Sequence, residues 1–161
     1  MIKFGVIVWS LYKEWRMRNM TRQKRKVLFL CSGNSCRSQM AEAIVNAQYG
    51  SHWEAFSAGI QPAGNVHPNA IKVLEEMGIM HKGTSKPADQ FRGVVFDLVV
   101  TVCDDAAENC PVWLGKGERF HLSFPDPAKA VGNEEQVIEV FRTVRNAMVS
   151  QLMEIFKRTE Y

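Results

Sequence analysis

A cysteine and an arginine with five small residues between them form the most reactive pattern in the sequence. The segment reads Cys-Ser-Gly-Asn-Ser-Cys-Arg-Ser over residues 31–38. As a thiolate, Cys31 would be a nucleophile, and Arg37 could bind a tetrahedral oxyanion through two parallel hydrogen bonds. The small residues let the loop curl so that its backbone N–H groups point inward as an anion nest. The pattern predicts nucleophilic chemistry on an oxyanion, with Ser38 donating to the thiolate; the alternative is an inert cysteine buried in a turn.

The elements around this loop are a strand before it and a helix after it. Residues 27–30 form a short apolar run, which is typical of a strand buried on both faces of a parallel sheet. A helical pattern follows from about residue 37 to 49 and ends at Gly50. The N-terminus of that helix adds partial positive charge at the loop, and cysteines in such a setting have a lowered pKa. We therefore expect Cys31 to be ionised near neutral pH.

Strands and helices alternate along the rest of the chain. Further strands are predicted at residues 53–57, 94–102 and 119–122, and a helix begins at Pro68. This alternation indicates a parallel sheet covered on both faces, with right-handed crossovers. Ligands bind such sheets at the carboxyl ends of the strands. The sequence places three chemically interesting residues just after predicted strands, so we expect them to converge on one edge of the sheet: Cys31, Cys103 and Asp126.

The last helix is the clearest helical pattern in the chain. Asn133 and Gln136 predict a capping box at its start. A single apolar stripe at helical spacing predicts the residues that face the core: Val137, Val140, Phe141, Val144, Met148, Leu152 and Ile155.

Length, composition and charge exclude several classes of protein. The chain has 161 residues, 46% of them apolar and 23% charged, which suits one globular domain. No apolar stretch approaches the roughly 20 residues that span a bilayer, so we expect no membrane span. The four cysteines contain no Cys-x-x-Cys pair, which argues against a structural zinc site. Residues 27–161 carry twelve Lys and Arg against sixteen Asp and Glu, so nothing predicts a nucleic-acid groove.

The N-terminal residues differ in charge from the rest of the chain. Residues 1–26 hold eight Lys and Arg against one acid, Glu14. A short apolar stretch near the start lacks the cleavage site of a secretory signal. We interpret residues 1–25 as a basic N-terminal extension that the fold does not need, and residues 26–161 as a single domain. The alternative is a basic arm, centred on residues 22–26, that binds an acidic surface.

The loop resembles the active-site loop of the low-molecular-weight protein tyrosine phosphatases, and more closely that of the arsenate reductases that share their fold. Residues 38–43, 56–59, 66–70 and 97–103 strengthen the resemblance, which covers about residues 26–158. It implies a flavodoxin-like, three-layer α/β/α fold whose four-stranded parallel sheet has the order 2-1-3-4. It also implies that the whole loop binds the oxyanion: Ser32, Gly33, Asn34, Ser35, Cys36, Arg37 and Ser38.

Two further cysteines separate a reductase from a phosphatase. Residues 103–111 read Cys-Asp-Asp-Ala-Ala-Glu-Asn-Cys-Pro and resemble the redox segment of thioredoxin-coupled arsenate reductases. If this segment is helical, its ends lie about 10.5 Å apart, whereas a disulfide needs Cα atoms within about 7 Å, so Cys103 and Cys110 would pair only after it unwinds. The resemblance implies a three-thiol relay, begun by Cys31, that reduces arsenate to arsenite and is regenerated by thioredoxin. The alternative is two unrelated cysteines.

An Asp-Pro pair follows the last predicted strand. In the relatives, the aspartate that matches Asp126 places a carboxyl group over the loop, where it protonates the leaving oxygen. Without the resemblance, Asp126 would be an ordinary turn residue before Pro127. The phosphatases usually follow this pair with an aromatic residue that grips the substrate tyrosine. Ala128 stands there instead, which favours a small inorganic substrate.

Some relatives bind a monovalent cation beside the loop through residues that match Asn34, Glu42, Ser57 and an aspartate. Lys86 stands at the position of that aspartate, and its ammonium group could take the place of the ion. We therefore predict no required metal and no bound cofactor, and we expect Asn34 to order the loop through hydrogen bonds to backbone groups. Cys36 is interpreted as a spectator, with an off-path disulfide as the alternative.

Two other functions fit parts of this sequence. One is a low-molecular-weight tyrosine phosphatase, which would form a phosphocysteine intermediate and would not need Cys103 or Cys110. The other is a non-catalytic oxyanion or redox sensor. For the reductase, we expect reduced thioredoxin as the electron donor, with glutaredoxin and glutathione as the alternative, and phosphate or sulfate as competing anions. Thiols with redox roles indicate a reducing compartment, the cytoplasm, and we expect a monomer.

Overall fold

Four parallel strands form the centre of the fold. The computed structural model describes residues 23–102, 113 and 115–157. The strands in this part are β1 (Arg25–Cys31), β2 (Trp53–Gly59), β3 (Leu98–Thr101) and β4 (Glu118–His121). Their order is β2-β1-β3-β4, and every neighbouring pair is parallel. The parallel α/β fold class predicted from the alternating elements and the sheet order implied by the resemblance are both confirmed.

Three α-helices lie within the same described ranges: α1 (Arg37–Gln48), α2 (Pro68–Glu75) and α3 (Glu134–Lys157). Short 3-10 helices lie at Ala88–Phe91 and Pro127–Lys129. Proline opens α2 at a position where its missing N–H would have had no helical partner. Within this part of the chain, no helix has the length and apolar character needed to cross a membrane.

The strands bury side chains on both faces of the sheet. Successive residues of a strand point to opposite faces, so Val27 and Phe29 join the larger apolar cluster, which all three helices cover, while Leu28 and Leu30 join a smaller one. The smaller cluster is completed by aromatic rings in mutual contact: Phe56, Phe91, Phe96 and Trp113. Burial on both sides agrees with the continuous apolar pattern of β1 and holds its carboxyl end rigidly.

β3 is shorter than the strand predicted at residues 94–102. Gly93 has a φ of +83°, which glycine adopts without steric cost, and it turns the chain after the first 3-10 helix. Val95 is 64% exposed, whereas Phe96 is buried in the smaller cluster. The Asp97 carboxylate accepts a hydrogen bond from a backbone N–H of β1 at 2.7 Å. The β-branched run therefore forms a strand only after Asp97, where it reaches β1.

The start of α3 is the predicted capping box. The Asn133 side chain accepts a hydrogen bond from the Gln136 N–H at 2.9 Å, and the Gln136 side chain accepts one from the Asn133 N–H at 3.0 Å. These bonds satisfy two N–H groups that have no partner within a helix.

The buried stripe of α3 differs from the predicted one. Val140 is 37% exposed, while Ile138 and Phe156, which the predicted stripe omits, are buried. The Phe156 ring lies 5.4 Å from that of Tyr49 and meets the Trp53 ring edge-on at 4.9 Å, measured between centroids. Contacts with aromatic residues from other elements therefore help to decide which face of α3 turns inward. The helical spacing of apolar residues does not predict these contacts.

This orientation of α3 predicts unequal costs for two truncations. Phe156→Ala should lower the free energy of unfolding by about 3–5 kcal/mol, because removing a buried ring leaves a cavity. Val140→Ala, the matched control on the same helix, should change it by less than about 0.5 kcal/mol. Urea denaturation followed by tryptophan fluorescence measures both. Similar losses for the two variants would contradict the observed orientation.

Candidate active site

The loop at residues 32–36 joins the carboxyl end of the central strand β1 to α1. Cys31 is the last residue of β1, and Arg37 is the first residue of α1. The N–H groups of the first helical turn have no partner within the helix and contribute partial positive charge at the loop. The structure thus has the strand, loop and helix in the predicted order, with the thiol at the helix N-terminus.

The carbonyl oxygens of the loop all accept hydrogen bonds from donors that lie outside the space enclosed by the loop. Each carbonyl from residue 31 to 36 accepts a hydrogen bond, and the donors in order are Ile60, Gln61, Ala63 together with Ser85, Gln39, His67 and Met40. A peptide carbonyl and the N–H that follows it point in opposite directions. Turning the carbonyls outward therefore turns the N–H groups inward, which is the arrangement an oxyanion nest requires.

Asn34 determines the shape of the loop. Its φ of +47° is uncommon for a residue other than glycine, although asparagine tolerates it better than most. Its side-chain oxygen accepts from Gln39 Nε2 at 2.9 Å and from the Lys86 N–H at 2.7 Å. Its amide nitrogen donates to Ser38 Oγ at 2.8 Å and to Ser57 Oγ at 2.9 Å. All four hydrogen-bonding positions of this buried amide are used, three of them by side chains rather than by the backbone groups we predicted.

The Asn34 N–H and the Ser38 hydroxyl face the sulfur of Cys31. The Asn34 N–H donates to Sγ at 3.1 Å, and the Ser38 hydroxyl oxygen lies 2.9 Å from Sγ. When Cys31 is a thiolate it can only accept, so the Ser38 hydroxyl, which itself accepts from the Asn34 amide, donates its proton to the sulfur. Hydrogen bonds of this kind stabilise a thiolate relative to a thiol. The contact between Ser38 and Cys31 has the geometry that the predicted role of Ser38 requires.

Gly59 allows β2 to approach the loop closely. A Cβ atom at this position would lie 2.7 Å from the Ser32 carbonyl oxygen and 2.9 Å from the Asn34 nitrogen, so a larger residue would displace the loop. The sequence patterns do not reveal this requirement, nor the side chains of Gln39 and Ser85 that hold the loop. The sequence offers one signal, a glycine at a strand end, but the close approach depends on how β2 pairs with β1.

Arg37 and Asp126 meet beside the loop. The Arg37 guanidinium lies 3.2 Å from Asp126 Oδ2 and donates to the Phe124 carbonyl at 3.1 Å. Asp126 Oδ1 also accepts from the Ala128 N–H at 3.1 Å, at the start of the second 3-10 helix. Arg37 is buried and Asp126 half-buried, so water screens this ion pair only in part. Asp126, which follows β4, therefore reaches the loop that follows β1, as the convergence of strand ends predicted.

Cys103 and Cys110 lie outside the described residues, so their predicted roles stay predictions. β3 carries the chain toward them. Thr101 pairs with Leu30, and the Val102 N–H donates to the Leu30 carbonyl at 2.9 Å. The last described residues before Cys103 therefore lie next to the end of β1, at the edge of the sheet that carries the loop.

The residues that match a cation site hold an ammonium group. The Ser57 hydroxyl donates to Glu42 Oε2, and Lys86 Nζ lies 3.4 Å from that same oxygen. These residues do not fit a bound cation, because the positive charge of Lys86 is already placed at the carboxylate. In the part of the chain that the structure describes, no three His, Cys, Asp or Glu side chains are grouped as metal ligands.

Cys36 is buried in the larger apolar cluster. Burial, and secondly the nearby Asp126 carboxylate, raise the pKa of the Cys36 thiol to about 12, against smaller opposing effects of Ser35 and Arg37. Cys36 is therefore a neutral thiol at physiological pH, unlike the nucleophile expected at Cys31.

We expect Cys36 to remain unmodified under conditions in which Cys31 reacts. A thiol whose pKa is raised to about 12 is protonated near neutral pH, and only the thiolate is nucleophilic. Brief treatment with iodoacetamide near neutral pH, followed by mass spectrometry of the peptide that contains both residues, measures this. One label should appear on Cys31, and none should appear in Cys31→Ser. Equal labelling of the two cysteines would contradict the assignment.

Comparisons with known proteins agree with this architecture. The family model described as low molecular weight phosphotyrosine protein phosphatase matches residues 26–160. The arsenate reductase of Halalkalibacterium halodurans is 48% identical over 124 residues, which cover 76% of this chain and 88% of the relative.

Solved structures are similar over most of the chain. A structure described as an arsenate reductase in the phosphate binding state has a TM-score of 0.71 at 32% identity. Another, described as an arsenate reductase in oxidized state, has a TM-score of 0.70 at 31% identity. Each match covers 83% of this chain and 98% of the other chain. Since the family model and these relatives span nearly the whole fold, the chain belongs to the low molecular weight phosphotyrosine protein phosphatase family.

Proposed function

We propose that this protein is an arsenate reductase in which Cys31 is the nucleophile. The observation that carries the proposal is the pair of donors at the Cys31 sulfur, the Asn34 N–H at 3.1 Å and the Ser38 hydroxyl at 2.9 Å, in a loop whose carbonyls all point outward. Similarity to arsenate reductases at 48% and 32% identity supports the substrate. Phosphate and sulfate have the same tetrahedral shape as arsenate, so we expect both to compete for the loop.

The first step forms a bond between sulfur and arsenic. The Cys31 thiolate attacks the arsenic atom of an arsenate ion held by the loop N–H groups and Arg37. A hydroxyl group of hydrogen arsenate leaves as water after it takes one proton from Asp126. The ion pair between Arg37 and Asp126 suits this role, because an oxyanion in the loop offers Arg37 replacement acceptors. The released Asp126 carboxylate then takes up a proton from solvent, and this is the proton that it donates.

The second step supplies two electrons from two thiols. Cys103 attacks the Cys31 sulfur, the electron pair of the sulfur–arsenic bond moves to arsenic, and arsenite leaves while a disulfide forms between the two cysteines. Cys110 then attacks Cys103 and frees Cys31, and reduced thioredoxin reduces the resulting disulfide. The pairing of Leu30 with Thr101 supports this relay, because it brings the chain before Cys103 to the end of β1.

The proposed relay carries further expectations. It needs no bound cofactor, because thiols supply the electrons. It requires a reducing compartment, and we infer the cytoplasm. One chain contains every proposed group, so a monomer suffices. Residues 1–25 precede the region matched by the family model, and we propose that they are an extension that catalysis does not need.

The first prediction from this proposal concerns the electron donor. We expect arsenate-dependent oxidation of NADPH in the presence of thioredoxin and thioredoxin reductase, and a lower rate with glutaredoxin and glutathione. Omission of arsenate and the variant Cys31→Ser are the controls, and both should abolish the reaction. Hydrolysis of an aryl phosphate that is unaffected by Cys103→Ser and Cys110→Ser, without arsenate-dependent NADPH oxidation, would instead support the phosphatase alternative.

The second prediction concerns the last thiol of the relay. Cys110→Ser should release about one arsenite per enzyme and then stop, because no thiol remains to free Cys31 from its disulfide. Mass spectrometry without added reductant should find Cys31 joined to Cys103 in this variant. Cys31→Ser, as the control, should release no arsenite and form no such bond. Sustained turnover by Cys110→Ser would exclude the relay.

A further inference from the structure

A series of polar contacts connects a lysine ammonium group to the nucleophilic sulfur. It runs from the segment after α2, through α1 and β2, to the end of β1. The members in order are Lys86, Glu42, Ser57, Asn34, Ser38 and Cys31. The steps with a stated length span 2.8–3.4 Å.

The hydrogen bonds of the series run outward from the Asn34 amide to both serines, and only at Ser57 does the series donate toward the Glu42 carboxylate. A carboxylate can only accept, so Ser57 donates its proton to Glu42 and can only accept from the Asn34 amide at 2.9 Å. The second hydrogen of that amide goes to Ser38 Oγ at 2.8 Å. The Ser38 proton is then directed at Cys31 Sγ.

Glu42 needs a compensating charge because little water reaches it. The Glu42 and Lys86 side chains are 15% and 18% exposed, and a charge in such surroundings is costly unless it is paired. Lys86 supplies the pairing charge at 3.4 Å. Its main chain is also fixed, since its N–H donates to Asn34 Oδ1 at 2.7 Å and its carbonyl accepts from the Gly59 N–H at 2.8 Å.

His81 is a further titratable group close to this pair. Its Nε2 lies 2.7 Å from Gln39 Oε1. Burial, with a smaller contribution from Lys86, lowers the pKa of His81 against an opposing effect of Glu42. His81 is therefore neutral above its ordinary titration range, and measurements at neutral and alkaline pH isolate the pair of Glu42 and Lys86.

We propose that Lys86 is a positioning residue for the reaction at Cys31. Its ammonium group pairs with the Glu42 carboxylate, which accepts from Ser57 and so fixes the position of the hydroxyl oxygen that accepts from the Asn34 amide. The same amide donates to Ser38, whose hydroxyl donates to the Cys31 thiolate. The Lys86 ammonium group thus takes the place considered above for a bound cation. The inference relies on the proposed function only in taking Cys31 as the nucleophile.

The test measures Cys31 alkylation by iodoacetamide as a function of pH, which does not depend on arsenate chemistry. Lys86→Met should slow alkylation near neutral pH by at least about tenfold, because the bond to a charged sulfur is weakened, and should move the rise of the rate to higher pH. Lys86→Arg keeps the charge and should stay within about threefold of the unmodified protein. Lys82→Met, an exposed lysine on the same segment, is the matched control and should have no effect.

A second background tests whether Lys86 acts through Glu42. In Glu42→Gln, the side chain still accepts from Ser57 but carries no charge, so adding Lys86→Met should change the alkylation rate by less than about twofold. This double variant leaves no unpaired carboxylate, and it keeps the test valid if Lys86→Met alone does not fold by circular dichroism. The proposal would be overturned by a normal alkylation rate in Lys86→Met, or by a rate in Lys86→Arg as low as that in Lys86→Met. It would also be overturned if Lys86→Met lowered the rate equally with Glu42 and with Gln at position 42. Absence of arsenate turnover in the unmodified protein would overturn the proposed function and leave this result intact.

Discussion

The shape of the nucleophilic loop depends on the hydrogen bonds of the buried Asn34 side chain. The left-handed backbone conformation of Asn34 (φ +47°) raises the free energy of the folded chain by on the order of 1–3 kcal/mol unless other contacts compensate for it. Four hydrogen bonds to its side-chain amide offset that cost and connect the loop to α1, β2 and the Lys86 segment. The loop therefore keeps its conformation only when these three parts of the fold are in place.

The charge distribution of the site follows from this support. Donors from outside the loop hold its carbonyls outward, which leaves inward N–H groups and the N-terminus of α1 as the electrostatic surroundings of Cys31. The loop is joined to a strand that is buried on both faces and its carbonyls are hydrogen-bonded, so these dipoles need little rearrangement when negative charge arrives. Cys36 lies in the same loop, yet burial raises its pKa to about 12. Cys31 and Cys36 are the same residue type, so their different reactivity follows from their different positions in the loop.

Several features could be predicted because neighbours in the sequence produce them. The apolar run of β1, the proline that opens α2 and the capping box formed by Asn133 and Gln136 all depend on residues within a few positions of each other. The sheet order was an expectation from the resemblance. Two local patterns were misleading. The β-branched run forms a strand only from Leu98, and the face of α3 that turns inward, where Phe156 contacts two aromatic rings, leaves Val140 partly exposed.

The features of the site are likewise of two kinds, those that the sequence determines and those that depend on the tertiary structure. The sequence by itself determined the reactive groups and their order, a thiol at the end of a strand and an arginine at the start of a helix, because both follow from short-range propensity and spacing. Only the tertiary structure decided that Gly59 must lack a side chain, that Asp126 reaches Arg37, and that Glu42 and Lys86 pair beneath the loop. Those facts depend on strand register and packing across tens of residues, which set distances that no local pattern encodes.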